Sequence, residues 1–358
     1  MRRARWLATW KDSPEKPVIY HCISRVVDRR FVLGDVEREQ FRMLMRMQEN
    51  FTGCRVLSYV IMSNHFHILL EVPPMNEEGL SDAELLKRLS ALYSEAFVAE
   101  VGRQLAEARQ SGNESYRCDI HARFTYRMHD LSQFMKTLLQ RFTSWFNRGH
   151  QRSGVLWEQR FKSVIVEDGV ASKTMAAYID LNPIRAGMVQ DPADYRWSSY
   201  GEAVGGGAQG NGKKARAGLV RAMRAHKGIE ADDTLWAHDV SREYRKLLMA
   251  GAVIKQQARI GKNGGLETRT TRRGISQDQA AKGQQAGGEL SVARMLRHRV
   301  RYFTDGAVIG SKGFVNEAFV NARDRFGSRR KDGARRMRGQ ASAAAGTIWS
   351  MRDLRVGV

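Results

Sequence analysis

The sequence has few cysteines and no long apolar run. Its three cysteines, Cys22, Cys54 and Cys118, are scattered over 358 residues. They lack the paired spacing of a zinc site and indicate reduced thiols in a cytosolic protein. No apolar stretch approaches the roughly 20 residues that a membrane-spanning helix requires. The basic start at residues 1–6 is not followed by the apolar segment of a signal peptide. We therefore expect a cytoplasmic protein.

The chain also lacks the acidic residues that would balance its basic ones. It has 38 Asp and Glu against 59 Lys and Arg, a formal net charge of +21, and a pI of about 10.3. Such an excess favours a polyanionic partner, and nucleic acid is the usual one. The basic residues are spread along the whole chain and do not form one basic tail on a neutral enzyme. We expect the protein to associate with the nucleoid. A membrane surface is the competing partner.

A histidine pair lies at the start of a predicted strand in residues 63–70 (SNHFHILL). Because successive side chains of a strand point to opposite faces, His65 and His67 share one face and Phe66 lies on the other. Two neighbouring imidazoles can bind one divalent metal ion. The alternative is a half-buried strand that happens to carry two polar residues.

The elements around this pair predict a rigid hairpin. Residues 17–25 are rich in β-branched and aromatic side chains, which predicts a first strand. Within it, His21 is more readily a packed residue than a ligand, because nothing near it has ligand spacing. A second strand at 55–62 leads into the histidine strand, which Pro73 ends.

A helical insertion and a core-facing helix follow the hairpin. Residues 75–128 have the pattern of an insertion, with one helix predicted from residue 81 to about residue 108. Apolar residues then recur at helical spacing from Leu131 to Phe146, which predicts a helix that faces the core.

Basic residues cluster in a second motif, residues 154–166 (GVLWEQRFKSVIV). This motif predicts a loop that enters a strand, with Arg160 and Lys162 on one face. They are candidate phosphate contacts, as is Arg25 at the end of the first strand. The alternative for all three is a solvated basic edge.

A tyrosine and an asparagine lie four residues apart at the end of a short predicted helix. Residues 172–181 have a helical pattern, and Pro183 disfavours helical geometry at Asn182. Tyr178 and Asn182 therefore lie on about the same face, one turn apart. Taken alone, Tyr178 is more readily a core or surface residue than a nucleophile.

Taken in order, these motifs resemble a known family. The His-Phe-His hairpin, the core helix, the motif at 154–166 and residues 178–187 (YIDLNPIRAG) together resemble the single-tyrosine HUH transposases. The resemblance is closest to the REP-associated tyrosine transposases and covers about residues 15–203. It implies an α+β fold with a ferredoxin-like or RRM-like antiparallel sheet and helices on one face, in a catalytic domain over residues 1–203.

The resemblance also implies a metal-dependent site. His65, His67 and Asn182 would bind Mg²⁺ or Mn²⁺, and Tyr178 would be the nucleophile. Tyr20, Tyr195 and Tyr200 are the rival tyrosines. Arg25, Arg160, Lys162 and Arg185 would contact DNA.

The reaction implied is cleavage and rejoining of single-stranded DNA at hairpin, REP-like sequences, through a 5′-phosphotyrosine and a free 3′-OH. The enzyme would act as a monomer or a homodimer. One alternative is a catalytically weak DNA-binding protein that acts on the same hairpins. A different metal-dependent hydrolase and an RNA-binding sheet are less favoured, because the chain lacks an added carboxylate cluster and an RNP-type aromatic signature.

The C-terminal part has a different composition. Residues 204–288 predict a glycine-rich linker, a helical segment over 219–257 and a second flexible stretch over 260–288. Residues 289–358 predict a basic helical region, with a helix at 290–300 and another from about 312 to 325. Two such helices can form a DNA-binding helix-turn-helix or a helical cap on the catalytic domain.

Overall fold

A computed structural model describes residues 7–75, 79–205, 212–224, 234–252, 255–260, 266–272, 274, 276–277, 281, 301–304, 306–336 and 347–351. The strands are β1 (Val18–Arg25), β2 (Arg55–Ile61), β3 (His65–Val72), β4 (Lys162–Val166), β5 (Lys255–Ile260), β6 (Leu266–Arg272), β7 (Val308–Gly310), β8 (Arg335–Arg336) and β9 (Trp349–Met351). The helices are α1 (Asp35–Thr52), α2 (Asp82–Leu89), α3 (Glu95–Gln110), α4 (Glu114–Thr125), α5 (Leu131–Gly149), α6 (Val170–Asp180), α7 (Asn182–Ala186), α8 (Ser199–Gly205), α9 (Lys213–Met223), α10 (Ser241–Ala252), α11 (Arg301–Thr304) and α12 (Lys312–Val320).

A ferredoxin-like βαββαβ unit forms the centre of the structure. Strands β1 to β4 lie in the order β2-β3-β1-β4, and every neighbouring pair among them is antiparallel. Helices α1 and α5 connect them in the order β1-α1-β2-β3-α5-β4. The predicted α+β class and antiparallel sheet are confirmed.

Helices cover both faces of this sheet, whereas the sequence predicted helices on one face. The apolar side chains of α1 and α5 form one core with Tyr20, Phe66 and Ile68. On the opposite face, α6, α9 and α10 form a second core with Ile19 and Leu69. The second layer was missed because α9 lies in a segment that its glycines mark as a linker.

Helix α9 packs closely on β2. Leu219 and Val220 are buried in the second core. Gly218 lies against the backbone of Val56 and Leu57, where a Cβ atom would overlap the Val56 carbonyl oxygen. The glycine thus permits a close helix–sheet approach. The linker predicted over residues 204–218 therefore does not include residues 213–218, which begin α9.

The insertion predicted at 75–128 is helical, but its first helix is divided. α2 ends at Leu89, and Ser94 starts α3 by accepting a hydrogen bond from the Phe97 N–H. With α4, these helices enclose a small separate core that includes Phe51 of α1. Ser94 is a second N-cap, a signal that the prediction of one helix from 81 to 108 overlooked.

The C-terminal residues extend the sheet instead of forming a purely helical region. β7 pairs in parallel with β4, and β9 and β8 continue the sheet to seven strands. The predicted helix near residue 312 is α12. β5 and β6 form a hairpin. It spans the end of the predicted helical segment and the start of the stretch that was predicted to be flexible. The helix predicted at 290–300 lies outside the described residues. No described helix has the length and apolarity needed to cross a membrane.

Candidate active site

The register of three strands places the histidine pair in a row of basic residues. His65 lies opposite Arg25, and His67 lies opposite Ile23, which in turn lies opposite Lys162 of β4. Paired residues in antiparallel strands project to the same face. Arg25, His65, His67 and Lys162 therefore share the face on which α6 packs.

A third histidine lies in the next row of the same face. His21 pairs with Leu69 of β3 and Val164 of β4. Its ring stacks on that of His67 with 5.1 Å between ring centres. The prediction of His21 as a packed strand residue agrees with its burial, but the sequence did not indicate its contact with His67.

Helix α6 brings Tyr178 to these histidines. The tyrosine ring lies edge-on to His67, at 5.9 Å between ring centres, and to His21, at 6.1 Å. On another side, the ring of Phe303 stacks on it at 4.5 Å. Tyr178 is 1% exposed. The tyrosine thus meets the histidines of its own chain, a point that the sequence could not decide.

A buried carboxylate, that of Asp180, anchors the C-terminal end of α6. Asp180 accepts hydrogen bonds from the Tyr244 hydroxyl at 2.6 Å and from the Tyr200 N–H at 3.0 Å. Its burial raises the pKa of the carboxyl to about 7. These hydrogen bonds hold the C-terminal end of α6 against α8 and α10, and so help to position Tyr178 two residues earlier.

The three histidines are neutral at physiological pH. Burial, with a smaller contribution from the Arg25 charge, lowers the pKa of His65 to about 4. Burial lowers the pKa of His21 to about 4. Burial, followed by the charges of His21 and His65, holds the pKa of His67 well below its usual value. A neutral imidazole keeps the lone pair that a metal ligand requires.

Asn64 orients the first histidine of the pair. The Asn64 Oδ1 lies 2.7 Å from the Nδ1 of His65, and its Nδ2 donates to the Arg29 carbonyl at 3.0 Å. Because Oδ1 can only accept, the Nδ1 of His65 carries the proton. The Nε2 of His65 therefore has the free lone pair.

The rings of His65 and His67 lie 5.1 Å apart between their centres and are nearly perpendicular, at 78°. This spacing permits both rings to bind one ion. Within the described residues, no cluster of three or more His, Cys, Asp or Glu side chains has the geometry of a metal site. A metal here would therefore need a ligand of another type in addition to the pair.

Asn182 is the predicted ligand of that other type. Its amide nitrogen donates to the carbonyls of Tyr178 and Ile179 at 3.1 and 3.0 Å, so it closes the end of α6. Its amide oxygen is the atom left to act as a ligand. Asn182 also begins α7, so helical structure continues beyond Pro183.

One of the four predicted basic contacts lies directly against Tyr178. The guanidinium of Arg185 lies over the Tyr178 ring, 4.8 Å from its centre, and donates to the Tyr178 carbonyl at 3.2 Å. Arg160 and Lys162 are exposed at the start of β4, and Arg25 is half-buried at the end of β1. Arg25 is thus on a histidine-bearing strand, Lys162 is on the neighbouring strand β4, and Arg185 is on α7, which directly follows the helix of Tyr178.

The rival tyrosines have structural partners. The hydroxyl of Tyr20 accepts from the Ala8 N–H on the opposite side of the sheet. That of Tyr195 donates to the Ile61 carbonyl at 2.7 Å, and that of Tyr200 accepts from Arg245. Tyr178 is the tyrosine whose ring contacts His67 and His21.

Comparison with known proteins finds a similarity that covers the histidine hairpin. Residues 16–119 match the family model described as "Transposase IS200 like". The resemblance to these transposases is confirmed. The matched segment contains β1 to β3 and ends in α4, before Tyr178. A solved structure of a REP-associated tyrosine transposase bound to a REP hairpin is similar to this chain, with 13% identity and a TM-score of 0.36. That match covers 59% of this chain and 87% of the other. Comparison with curated proteins finds no match.

Two residues of this site could not be found in the sequence. His21 is separated from His67 by 46 residues, and only the pairing of β1 with β3 brings them together. Phe303 lies 282 residues after His21, yet its carbonyl contacts the His21 ring. No local sequence signal indicates this contact, because the face that His21 shares with His67 follows from the β1–β3 register.

Proposed function

We propose that the protein is a metal-dependent single-strand DNA transposase or endonuclease that cleaves and rejoins DNA at hairpin sequences. The observation that carries the proposal is the contact of Tyr178 with His67 of the same chain. The family match over the histidine hairpin supports the same class of activity. The basic composition supplies the expected substrate class.

His65 and His67 would hold Mg²⁺ or Mn²⁺ through Nε2, and the amide oxygen of Asn182 would complete the set. Two neutral imidazoles and one amide oxygen suit either ion and leave its positive charge undiminished. When bound, the ion would polarise the scissile phosphate and orient it for attack.

Tyr178 would be the nucleophile. Its hydroxyl oxygen attacks the phosphorus as its proton leaves, the bond from phosphorus to the 3′ oxygen breaks, and the 3′ oxygen departs as a hydroxyl. The product is a 5′-phosphotyrosine with a free 3′-OH. A 3′-OH can reverse the step, so the phosphodiester bond energy is retained for rejoining.

The surrounding cations would position the DNA. Arg25 lies on β1, Lys162 lies on the adjacent strand β4, and Arg160 lies two residues before it. Arg185 lies on α7, over the Tyr178 ring. Their charges would offset that of the phosphates, which a nucleophile must approach. Because Tyr178 is 1% exposed, the groups that cover it, among them Phe303, would have to shift before a phosphate could reach it.

A catalytically weak DNA-binding protein is the second candidate. The burial of Tyr178 under Phe303 favours this reading, since a covered nucleophile is poorly placed to react. It predicts tight binding of hairpin DNA without covalent chemistry.

One experiment separates the two functions. The protein is incubated with Mn²⁺ and a labelled hairpin oligonucleotide that has a single-stranded flank, and adducts are resolved under denaturing conditions. The enzyme predicts a denaturation-resistant protein–DNA adduct that is lost in Tyr178→Phe and retained in the control Tyr200→Phe. Binding without an adduct in any divalent metal supports the second candidate. An adduct that survives in Tyr178→Phe contradicts the assigned nucleophile.

A further inference from the structure

A buried line of hydrogen bonds runs from His67 away from the site. The Nδ1 of His67 lies 3.0 Å from the Nε2 of His21, and the Nδ1 of His21 lies 2.9 Å from the Phe303 carbonyl oxygen. His21 is fully buried, and His67 is 3% exposed. In such surroundings each polar atom needs its partner.

The direction of each hydrogen bond follows from its far end. A carbonyl oxygen can only accept, so the Nδ1 of His21 carries a proton. A neutral imidazole has one N–H, so the Nε2 of His21 is an acceptor. The Nδ1 of His67 must then donate to it, and the Nε2 of His67 keeps its lone pair.

We propose that His21 is a positioning residue, which holds His67 in the Nδ1–H form and so directs its Nε2 lone pair to the metal. This inference rests on the proposed function, in which the histidine pair binds the ion. Partners of this type commonly fix the tautomer and orientation of a metal-binding histidine.

The same contacts argue against His21 as a third metal ligand. One of its ring nitrogens donates to Phe303, and the other accepts from His67. Neither lone pair is available to an ion in this arrangement. His21 therefore acts through His67 and does not touch the metal.

Different residues orient the two histidines of the pair, and both histidines adopt the Nδ1–H form. The Oδ1 of Asn64 accepts a hydrogen bond from the Nδ1–H of His65. The Nε2 of His21 accepts one from the Nδ1–H of His67. Both Nε2 atoms are left with lone pairs on one face of the sheet. Loss of His21 should therefore affect His67 and leave His65 unchanged.

The test uses three variants of the full chain. His21→Leu removes the acceptor and keeps an apolar side chain in the buried position. His21→Gln is the conservative variant, because its amide oxygen can accept from His67. His121→Leu is the control, since His121 contacts Asp82 in the helical insertion. Circular dichroism and thermal melting establish that each variant is folded.

The first readout is the tautomer of His67 in the metal-free protein, measured by long-range ¹H–¹⁵N NMR with histidine labelling and assigned from a His67→Gln sample. The second is Mn²⁺ affinity measured by calorimetry without DNA. We expect His67 and His65 to be Nδ1–H in the wild type. In His21→Leu, we expect His67 to shift towards Nε2–H and Mn²⁺ binding to weaken by about 10–100-fold. His21→Gln should restore affinity to within a few-fold.

Unchanged tautomer and Mn²⁺ affinity in a folded His21→Leu variant would overturn the inference, as would Nε2–H at His67 in the wild type. These results are independent of DNA cleavage. If Mn²⁺ binding depends on His21 but no tyrosine adduct forms, the positioning role stands and the proposed function fails. If the wild type binds no Mn²⁺, both fail.

Discussion

The two faces of the central sheet are built from alternate residues of the same strands, yet only one of them carries the histidines. On the face covered by α1 and α5, neighbouring strands contribute Tyr20, Phe66 and Ile68 to an apolar core. On the other face, the strand ends carry Arg25, His65, His67 and Lys162. A register shift of one residue would exchange the two sets. The core under α1 and α5, together with the second core under α6, therefore holds the register on which the histidine site depends.

The largest effect is expected from removing one member of the histidine pair. His67→Ala deletes a proposed ligand while the opposite face of the sheet is unchanged. We expect Mn²⁺ affinity to fall by more than about 100-fold, beyond the range for a supporting residue, and adduct formation to be lost. Calorimetry and the denaturing gel measure the two effects. Wild-type Mn²⁺ affinity in this variant would show that the pair does not bind the ion.

Truncation of a side chain in the core under α1 and α5 should lower stability and leave Mn²⁺ binding unchanged. Phe41 is fully buried, and its ring lies 4.8 Å from that of Phe66 and 5.1 Å from that of Phe142. Phe41→Ala should lower the free energy of unfolding by about 3–5 kcal/mol, measured by urea denaturation. The remaining folded protein should bind Mn²⁺ as the wild type does. A large loss of affinity at full folding would show that the two faces are not separable.

The histidine face should also make stability depend on pH. The pKa of His65 is about 4 in the folded chain, below the ordinary value of 6.5, so the unfolded chain takes up a proton first as pH falls. The free energy of unfolding should therefore decrease between pH 6.5 and 4, by up to about 1.4 kcal/mol per pH unit for this residue.

The measurement compares metal-free wild type with His65→Gln by urea denaturation at pH 7 and pH 5. The stability of the variant should decline less than that of the wild type. An equal decline in both proteins would show that His65 is not held neutral in the folded chain.

The smallest effect is expected at Asn182. Its amide nitrogen is used to close α6, and only its oxygen is available to a metal. Asn182→Ala should weaken Mn²⁺ binding less than His67→Ala does, and it should destabilise the fold by about 1 kcal/mol through the lost hydrogen bonds. Calorimetry and urea denaturation give both numbers. Unaltered Mn²⁺ affinity would remove Asn182 from the proposed ligand set.

Local patterns were enough to predict the part of the fold that carries the histidine pair. Alternation in β3, the helical spacing of α5 and the proline stop after Val72 are properties of short segments. The second helical layer was missed because Gly218 resembles a linker glycine in the sequence and serves a close approach to β2 in the structure. The N-terminal half of the site could be predicted from spacing and resemblance.

The contacts that complete the site depend on tertiary structure. The proximity of His21 to His67 requires the β1–β3 register, and the carbonyl that orients His21 comes from Phe303 near the other end of the chain. The side chain of Asn182 turns back onto α6, which spacing alone could not indicate. Sequence separation therefore explains which site residues were predicted and which were not.

The most direct test of the central claim is mass spectrometry of the covalent adduct. The protein is reacted with Mn²⁺ and a hairpin oligonucleotide, digested with trypsin and a nuclease, and searched for a nucleotide-bearing peptide. The account predicts that the peptide containing Tyr178 carries the 5′ phosphate of the cleaved strand. A nucleotide on Tyr20, Tyr195 or Tyr200, or on no peptide at all under conditions where the DNA is cut, would contradict it.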